Sequence, residues 1–282
     1  MLQFDSDKLP SAFDRVVPFD AGVDDVLSYG NVEASDVEGL VQGGFFTRKI
    51  SDLKNTAIWI GGSNVPTGEK ILEAVRNSFF GPFELSVMLD SNGCNTTAAT
   101  AVAKIVKEVP VEGQKVVVAA GTGPVGLRAA GLLASEGANV TITSRRKEGA
   151  EKAAAYVNER FGVDTVTGTV LSDAETAGAA LDGAVAVFTT GAAGIQLISE
   201  AVWTSIPSLK LIADINAVPP LGIEGIDMGD DGEEHHGRIS FGAIGIGGHK
   251  MKVHRPCIQQ LFEANNVVMD AEEVYAVAKE LI

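Results

Sequence analysis

An α/β fold built on a largely parallel sheet is predicted by three features of the chain. From Lys115 onward, short apolar runs alternate with helical patterns at the spacing of β-α-β units. Glycine supplies 32 of the 282 residues, which suits many tight strand-to-helix turns. The run Gly121-Thr122-Gly123-Pro124-Val125-Gly126 stands between an apolar run and a helical pattern.

Residues 1–30 read as a mixed, extended segment with a turn at Asp20-Ala21-Gly22. Residues 56–61 have the apolar content of a buried strand, and Glu69–Ser78 repeats Ile71, Leu72 and Val75 at helical spacing. Leu85–Leu89 reads as a strand ending at Asp90. The polar stretch from Asp90 to Thr97 leads into an Ala- and Val-rich helix reaching about Val109, which Asn95 or Thr96 can cap with a side-chain oxygen. Pro110 and Gly113 then mark a domain boundary.

Lys115–Ala120 is the first strand of the next domain. Val125–Ser135 is its helix, with Gly137 as C-cap, and Asn139–Thr143 is the second strand. Further strands fall at Thr165–Thr169, Ala184–Thr190, Leu209–Asp214 and Ile239–Ile244. Asp270 and Glu273 have capping-box spacing. The helix they start puts Val274, Val277, Ala278 and Leu281 on one face and is expected to return to the N-terminal domain.

Composition narrows the function classes. The net charge of −15 disfavours nucleic acid and anionic membrane surfaces as partners. Cys94 and Cys257 lie far apart, and no Cys/His spacing fits a metal site, so two free thiols and no metal are expected. The start Met-Leu-Gln-Phe-Asp-Ser-Asp lacks the basic and apolar regions of a signal peptide. Apolar runs break before membrane-spanning length. A soluble, cytoplasmic protein is expected.

The Gly121–Gly126 run has the context of a dinucleotide fingerprint in a Rossmann-type unit. Gly121 permits the tight turn, Gly123 lets backbone approach a pyrophosphate, and Gly126 lets helix and strand pack closely. Thr122, Pro124 and Val125 complete the loop, and the helix start presents N–H groups to phosphate. At the end of the second strand stand Ser144, Arg145, Arg146 and Lys147, where an NAD enzyme places a carboxylate. Arginine binds a 2′-phosphate by a charge-assisted fork, so NADP is the expected cofactor. Thr190, Gly191 and Ala192 end a later strand. They suit passage of the nicotinamide half or form a plain turn, and both readings stand.

Several longer segments resemble one family. They are Met88–Ala99, Gly121–Gly126, Asn216–Ile223 and Phe241–Lys250. They look like the methylene-tetrahydromethanopterin dehydrogenases of methylotrophic bacteria, most of all the NADP-dependent branch that also accepts methylene-tetrahydrofolate. The resemblance implies a smaller α/β pterin-side domain, a Rossmann-type parallel-sheet NADP domain and a cleft between them. On this chain the first would take residues 1–110 and about 250–282, and the second 111–249. It implies a reduced-pterin substrate whose methylene group is oxidised to methenyl with hydride passing to NADP+. It also implies a homo-oligomer, a trimer in the close branch. His249 departs from the family pattern.

The chemistry asks little of acid–base groups. The carbon that loses hydride lies between two nitrogens, whose lone pairs stabilise the developing cation. No Ser/His/Asp or Cys/His constellation is present to suggest a dedicated base. Lys250 matches a family lysine in the pterin site and is the expected catalytic and substrate-binding residue; an ordinary surface lysine is the other reading. Asp20, Asp90, Asn92 and Thr97 are the other expected substrate ligands, although Asp90 equally suits capping the following turn. His235-His236 lies in an acidic, Gly-flanked stretch expected to be a solvated loop. Two alternatives stand beside the main reading. One is methylene-tetrahydrofolate as substrate, with cyclohydrolase activity in addition. The other is a redox sensor that binds NADP(H) without turnover.

Overall fold

The computed structural model describes every residue, Met1–Ile282. The chain begins with β1 (Leu2–Asp5), α1 (Ala12–Asp20), β2 (Leu27–Tyr29), α2 (Val37–Phe46), β3 (Ala57–Gly61), α3 (Val65–Asn77), β4 (Ser86–Leu89) and α4 (Cys94–Glu108). It continues with β5 (Lys115–Ala119), α5 (Pro124–Ser135), β6 (Asn139–Ser144), α6 (Lys147–Phe161), β7 (Val166–Val170), α7 (Ala174–Leu181), β8 (Ala184–Thr189), α8 (Glu200–Thr204) and β9 (Leu211–Asp214). It closes with β10 (Asp231–His235), β11 (Arg238–Phe241), α9 (Ala243–Gln260), β12 (Val268–Met269) and α10 (Ala271–Leu281). No helix is long and apolar enough to cross a membrane.

Two compact units result, Met1–Thr96 with Met251–Leu281, and Thr97–Lys250. The divisions fall inside α4 and α9, whereas the sequence places the first one after α4, at Pro110.

The first unit is a five-stranded sheet in the order β12-β4-β3-β1-β2, parallel throughout. All five β3 residues are buried, as a strand covered on both faces requires. Phe4, Phe45, Leu53, Ile58, Ile60, Ile71 and Leu85 lead its core. Burying each such side chain contributes about 1.5–3 kcal/mol. α10 belongs to this unit and buries Val274, Val277 and Ala278, while Leu281 is exposed.

Local signals explain elements that periodicity missed. α1 lies where a mixed segment was expected. Ser11 caps it by accepting from the Asp14 amide at 3.3 Å, and Pro18 sits near its end. α3 starts at Val65 rather than Glu69, because Asn64 caps it through the Thr67 amide at 3.1 Å and Pro66 fixes its first turn.

The second unit is a seven-stranded sheet in the order β10-β11-β9-β8-β5-β6-β7. All pairings are parallel except β10 with β11. β5 lies inside the sheet, with Val117 beside Thr141 on one flank and Val187 on the other. Val117, Val187, Ile198, Trp203 and Ile212 lead the core on one face.

Two expectations here are corrected. The stretch around His235-His236 is largely exposed, but it is the edge strand β10 and its hairpin turn rather than a loop, and in the turn His236 (φ 49°) and Gly237 (φ 75°) adopt left-handed backbone. His235 Nε2 lies 2.9 Å from Asp230 and His236 Nε2 lies 2.7 Å from Glu200. The strand expected over Ile239–Ile244 stops at Phe241, because the Gly242 amide donates to Asp230 O at 2.8 Å and the helix α9 starts at once. α9 keeps its helix despite Gly245, Gly247, Gly248 and Pro256, with Ile246, Val253, Cys257 and Ile258 buried. Packing there outweighs propensity.

Candidate functional site

The turn after β5 is built by contacts rather than by one flexible glycine. Ala120 holds the left-handed backbone (φ 51°), a role the sequence gives to Gly121. It is held by its amide, which donates to Thr143 Oγ1 at 3.0 Å. Gly121 is needed for space: a Cβ there would lie 2.8 Å from Val118 Cγ1. At Gly126 a Cβ would lie 2.5 Å from Gly121 Cα and 2.6 Å from Thr190 Oγ1, so strand ends and helix meet closely, as expected. Ala120 and Thr143 carry no sequence signal. An alanine ending an apolar run reads as one more strand residue, and only the neighbouring strand supplies the hydroxyl that turns it.

Gly123 differs from its neighbours. A Cβ there would meet nothing within 4 Å. Gly123 is also the N-cap of α5, and no side chain caps that helix. Pro124 occupies the first position, where a missing N–H costs nothing, and the next amides have no intrahelical acceptor. Thr122 is exposed and Val125 half-buried beside this opening. Open space beside an uncapped twelve-residue helix start fits a phosphate group.

Ser144 ends β6, next to β5 in the sheet. Arg145 and Arg146 follow it and are exposed. Lys147 and Lys152 pair along α6 with Glu151 and Glu148, but no ion pair holds Arg145 or Arg146. Two unengaged guanidinium groups in a chain of net charge −15 fit a phosphomonoester beside the adenosine position. On the other flank of β5, Thr190 follows β8 and donates from Oγ1 to Ala119 O at 3.3 Å. Gly191 is half-buried and Ala192 exposed.

The expected substrate residues divide between the units. In the second unit Lys250 is half-buried on α9, and its Nζ donates to Thr97 Oγ1 of α4 at 3.1 Å. Nearby on α4, Lys104 is buried, 2.5 Å from Asp231 and 4.7 Å from the Phe241 ring centroid. His249 Nδ1 lies 3.6 Å from the same Asp231.

In the first unit Asp20 is exposed and 3.3 Å from Arg255. Asn92 is exposed with left-handed backbone (φ 53°), its amide donating to Gly62 O at 2.8 Å. Asp90 is 1% exposed and accepts from the Thr96 amide at 3.0 Å and Thr96 Oγ1 at 2.7 Å. Its side chain makes no cap on the turn Ser91–Gly93 and instead holds the first turn of α4 through Thr96. Asn95 does not cap. It sits inside α4, donating from Nδ2 to Leu89 O at 2.6 Å and to Asp270 at 2.9 Å. His254 is fully buried, 3.4 Å from Asp90 and stacked on Trp59 at 4.8 Å. Two surface hollows of this unit lie around Met1, Asp25, Arg48 and Asn55, and no expected site residue lines them.

The strand order β7-β6-β5-β8-β9-β11 reverses direction beside β5, and the glycine turn lies at the carboxyl end of that reversal. Sheet order and the glycine turn at the reversal define a protein of the Rossmann class.

Comparisons narrow the class. Residues 12–92 match the model of the N-terminal region of methylene-tetrahydromethanopterin dehydrogenase. The chain is 50% identical over 283 aligned residues to the bifunctional protein MdtA of Methylorubrum extorquens, covering 100% of this chain and 98% of the relative. It is 30% identical to the NAD(P)-dependent methylenetetrahydromethanopterin dehydrogenase of the same organism, covering 96% and 94%. The chain belongs to the methylene-tetrahydromethanopterin dehydrogenase family. A likeness of fold alone extends to shikimate 5-dehydrogenase of Listeria monocytogenes, with a TM-score of 0.51, 11% identity and coverage of 98% and 95%.

Proposed function

We propose that this protein oxidises the methylene group of methylene-tetrahydromethanopterin to the methenyl form, with NADP+ as hydride acceptor. The observation that carries the dinucleotide half is the empty space beside Gly123 at the uncapped start of α5. Family membership over the whole chain supports the substrate half. Bound NADP+ would supply the electron-accepting nicotinamide carbon. The chain's own residues have four tasks. The turn from Gly121 to Gly126, with Thr122, Pro124 and Val125, binds the pyrophosphate. Ser144, Arg145 and Arg146 hold the 2′-phosphate. Thr190, Gly191 and Ala192 let the cofactor pass close to the end of β8. Lys250, steadied by Thr97, presents a cation to the polar edge of the pterin and tunes the field at the reacting carbon.

Asp20 and Asn92 are exposed and remain candidates for substrate contact. Asp90 holds the start of α4 through Thr96. Methylene-tetrahydrofolate is the second substrate to assay, since the relative at 50% identity is named a bifunctional protein. The homo-oligomer implied by resemblance is checked by light scattering.

The test is turnover with each methylene pterin, followed by the absorbance of reduced nicotinamide. Wild type is expected to reduce NADP+. Lys250→Ala is expected to lower kcat by about 100-fold, the scale of losing one electrostatic stabiliser. Binding of NADP(H) without any turnover on either pterin would replace this reading with a redox sensor.

A further inference from the structure

Two loops leave the carboxyl ends of β8 and β9, and one buried side chain ties them together. Asn216 is 5% exposed. Its Oδ1 accepts from the Gly194 amide at 3.3 Å and the Val218 amide at 2.9 Å, and its Nδ2 donates to Pro220 O at 3.0 Å. Its own amide donates to Asp214 Oδ1 at 3.0 Å. Asp214 is 1% exposed and also accepts from Thr189 Oγ1 at 2.6 Å and the Gly222 amide at 2.7 Å. Gly222 O accepts in turn from Leu197 and Ile198 at 2.9 and 3.1 Å. A Cβ on Gly222 would lie 2.8 Å from Asp214 Oδ1, so the backbone closes on this carboxylate as only glycine permits.

A buried carboxylate with three donors and a buried amide with every group engaged form a costly arrangement, far more than a plain turn needs. What the network fixes is backbone, and what it turns outward is apolar. Ile195 is 52% and Val218 51% exposed, with Ala192 and Ala193 also exposed. Val218 adjoins Gly194, where a Cβ would stand 3.8 Å from Val218 Cγ1.

The location gives this wall a use. Arg145 and Arg146 mark the adenosine half at the end of β6, on one side of β5. A dinucleotide crossing the turn at Gly123 lays its other half along β8 and β9. We infer that Asp214 and Asn216 are positioning residues that hold the loops of β8 and β9 as one wall, and that Val218 is the apolar face of that wall against which the nicotinamide half of the cofactor rests. This inference rests on the dinucleotide reading above. The wall matters because hydride transfer depends on the donor and acceptor carbons staying close and aligned.

The test uses two probes, NADP+ and 2′-phospho-ADP-ribose, which lacks only the nicotinamide. Their dissociation constants are measured by calorimetry on wild type and Asn216→Ala. NADP+ is expected to bind about tenfold more weakly to the variant while 2′-phospho-ADP-ribose stays within about twofold. Equal loss for both probes, or loss for neither, would overturn the proposal. Val218→Phe changes an exposed side chain and leaves the Val218 amide able to donate to Asn216, and it gives the same readout. It is expected to weaken NADP+ alone, and an unchanged NADP+ affinity would equally refute the wall. Wild type that binds neither probe would sink the dinucleotide reading itself, and this proposal with it.

Discussion

Each unit has a strand that runs into a glycine turn and then a helix, and the two turns are used differently. After β3, Gly61 and Gly62 are surrounded. A Cβ on Gly61 would lie 2.5 Å from Asp14 Oδ2, and one on Gly62 (φ 92°) would lie 2.1 Å from Ser6 Oγ. The helix that follows, α3, is capped by Asn64. After β5, Gly123 faces empty space and α5 has no side-chain cap. The first turn has filled its own volume and capped its own helix. The second has left both undone, which is how a protein reserves a place for an anion. Glycine content does not separate these cases. The volume beside the glycine does.

The sharpest way to break this contrast is to add one methyl group to each turn. Gly123→Ala is expected to weaken NADP+ by about 10–100-fold, the scale of one or two lost hydrogen bonds to a charged group. The melting temperature should fall by no more than about 3 °C, since alanine is a poor N-cap but meets no clash. Gly62→Ala should do the reverse. Left-handed backbone and the Ser6 contact together cost about 1–3 kcal/mol, and cofactor affinity stays near wild type. Calorimetry and thermal melts on both variants check this. A Gly123→Ala protein that binds NADP+ normally would mean that the space beside Gly123 is not a phosphate approach.

A smaller effect sharpens the picture of the open end. Arg145→Ala is expected to raise the NADP+ dissociation constant by about tenfold and to leave NAD+ unchanged, as for one exposed charge-assisted contact. Parallel loss for the two cofactors would detach the arginines from the 2′-phosphate.

The effect that is smallest near neutral pH concerns the first unit. Burial first, and the charge of Asp90 second, push the Cys257 thiol up to about 12. In the unfolded chain the thiol ionises near about 8.5. Below that pH both states keep the proton, and the thiol gives stability no pH dependence. Above it the unfolded chain releases a proton that the folded chain retains. Stability then falls as pH rises toward 12, by at most about 1.4 kcal/mol per pH unit. Urea unfolding of wild type and Cys257→Ala on both sides of about pH 9 reads the difference. Identical pH slopes would show that the thiol reaches solvent in the folded chain.

The parallel α/β class, β3 to β6, β8 and the capped C-terminal helix were legible because each carries its signal within a few neighbouring residues. The Gly121–Gly126 turn and the basic run after β6 were legible for the same reason. α1, α9 and β10 were not. α9 carries Gly245, Gly247, Gly248 and Pro256, which read as turn residues, and β10 is an acidic edge that gains strand form only by pairing with β11. Asp90 and Asn95 were ambiguous because capping oxygens and substrate ligands are the same residue types.

By itself, the order of residues determined where backbone must bend, where charge gathers and which stretches are apolar enough to be covered. These are properties of neighbours along the chain, and local sterics and solvation suffice to set them. Only the tertiary structure decided that Ala120 rather than Gly121 takes the left-handed bend, that Gly123 faces emptiness while Gly62 does not, and that Asn216 joins two loops. Each of these depends on atoms distant in sequence arriving at one point, and close packing then allows a single arrangement.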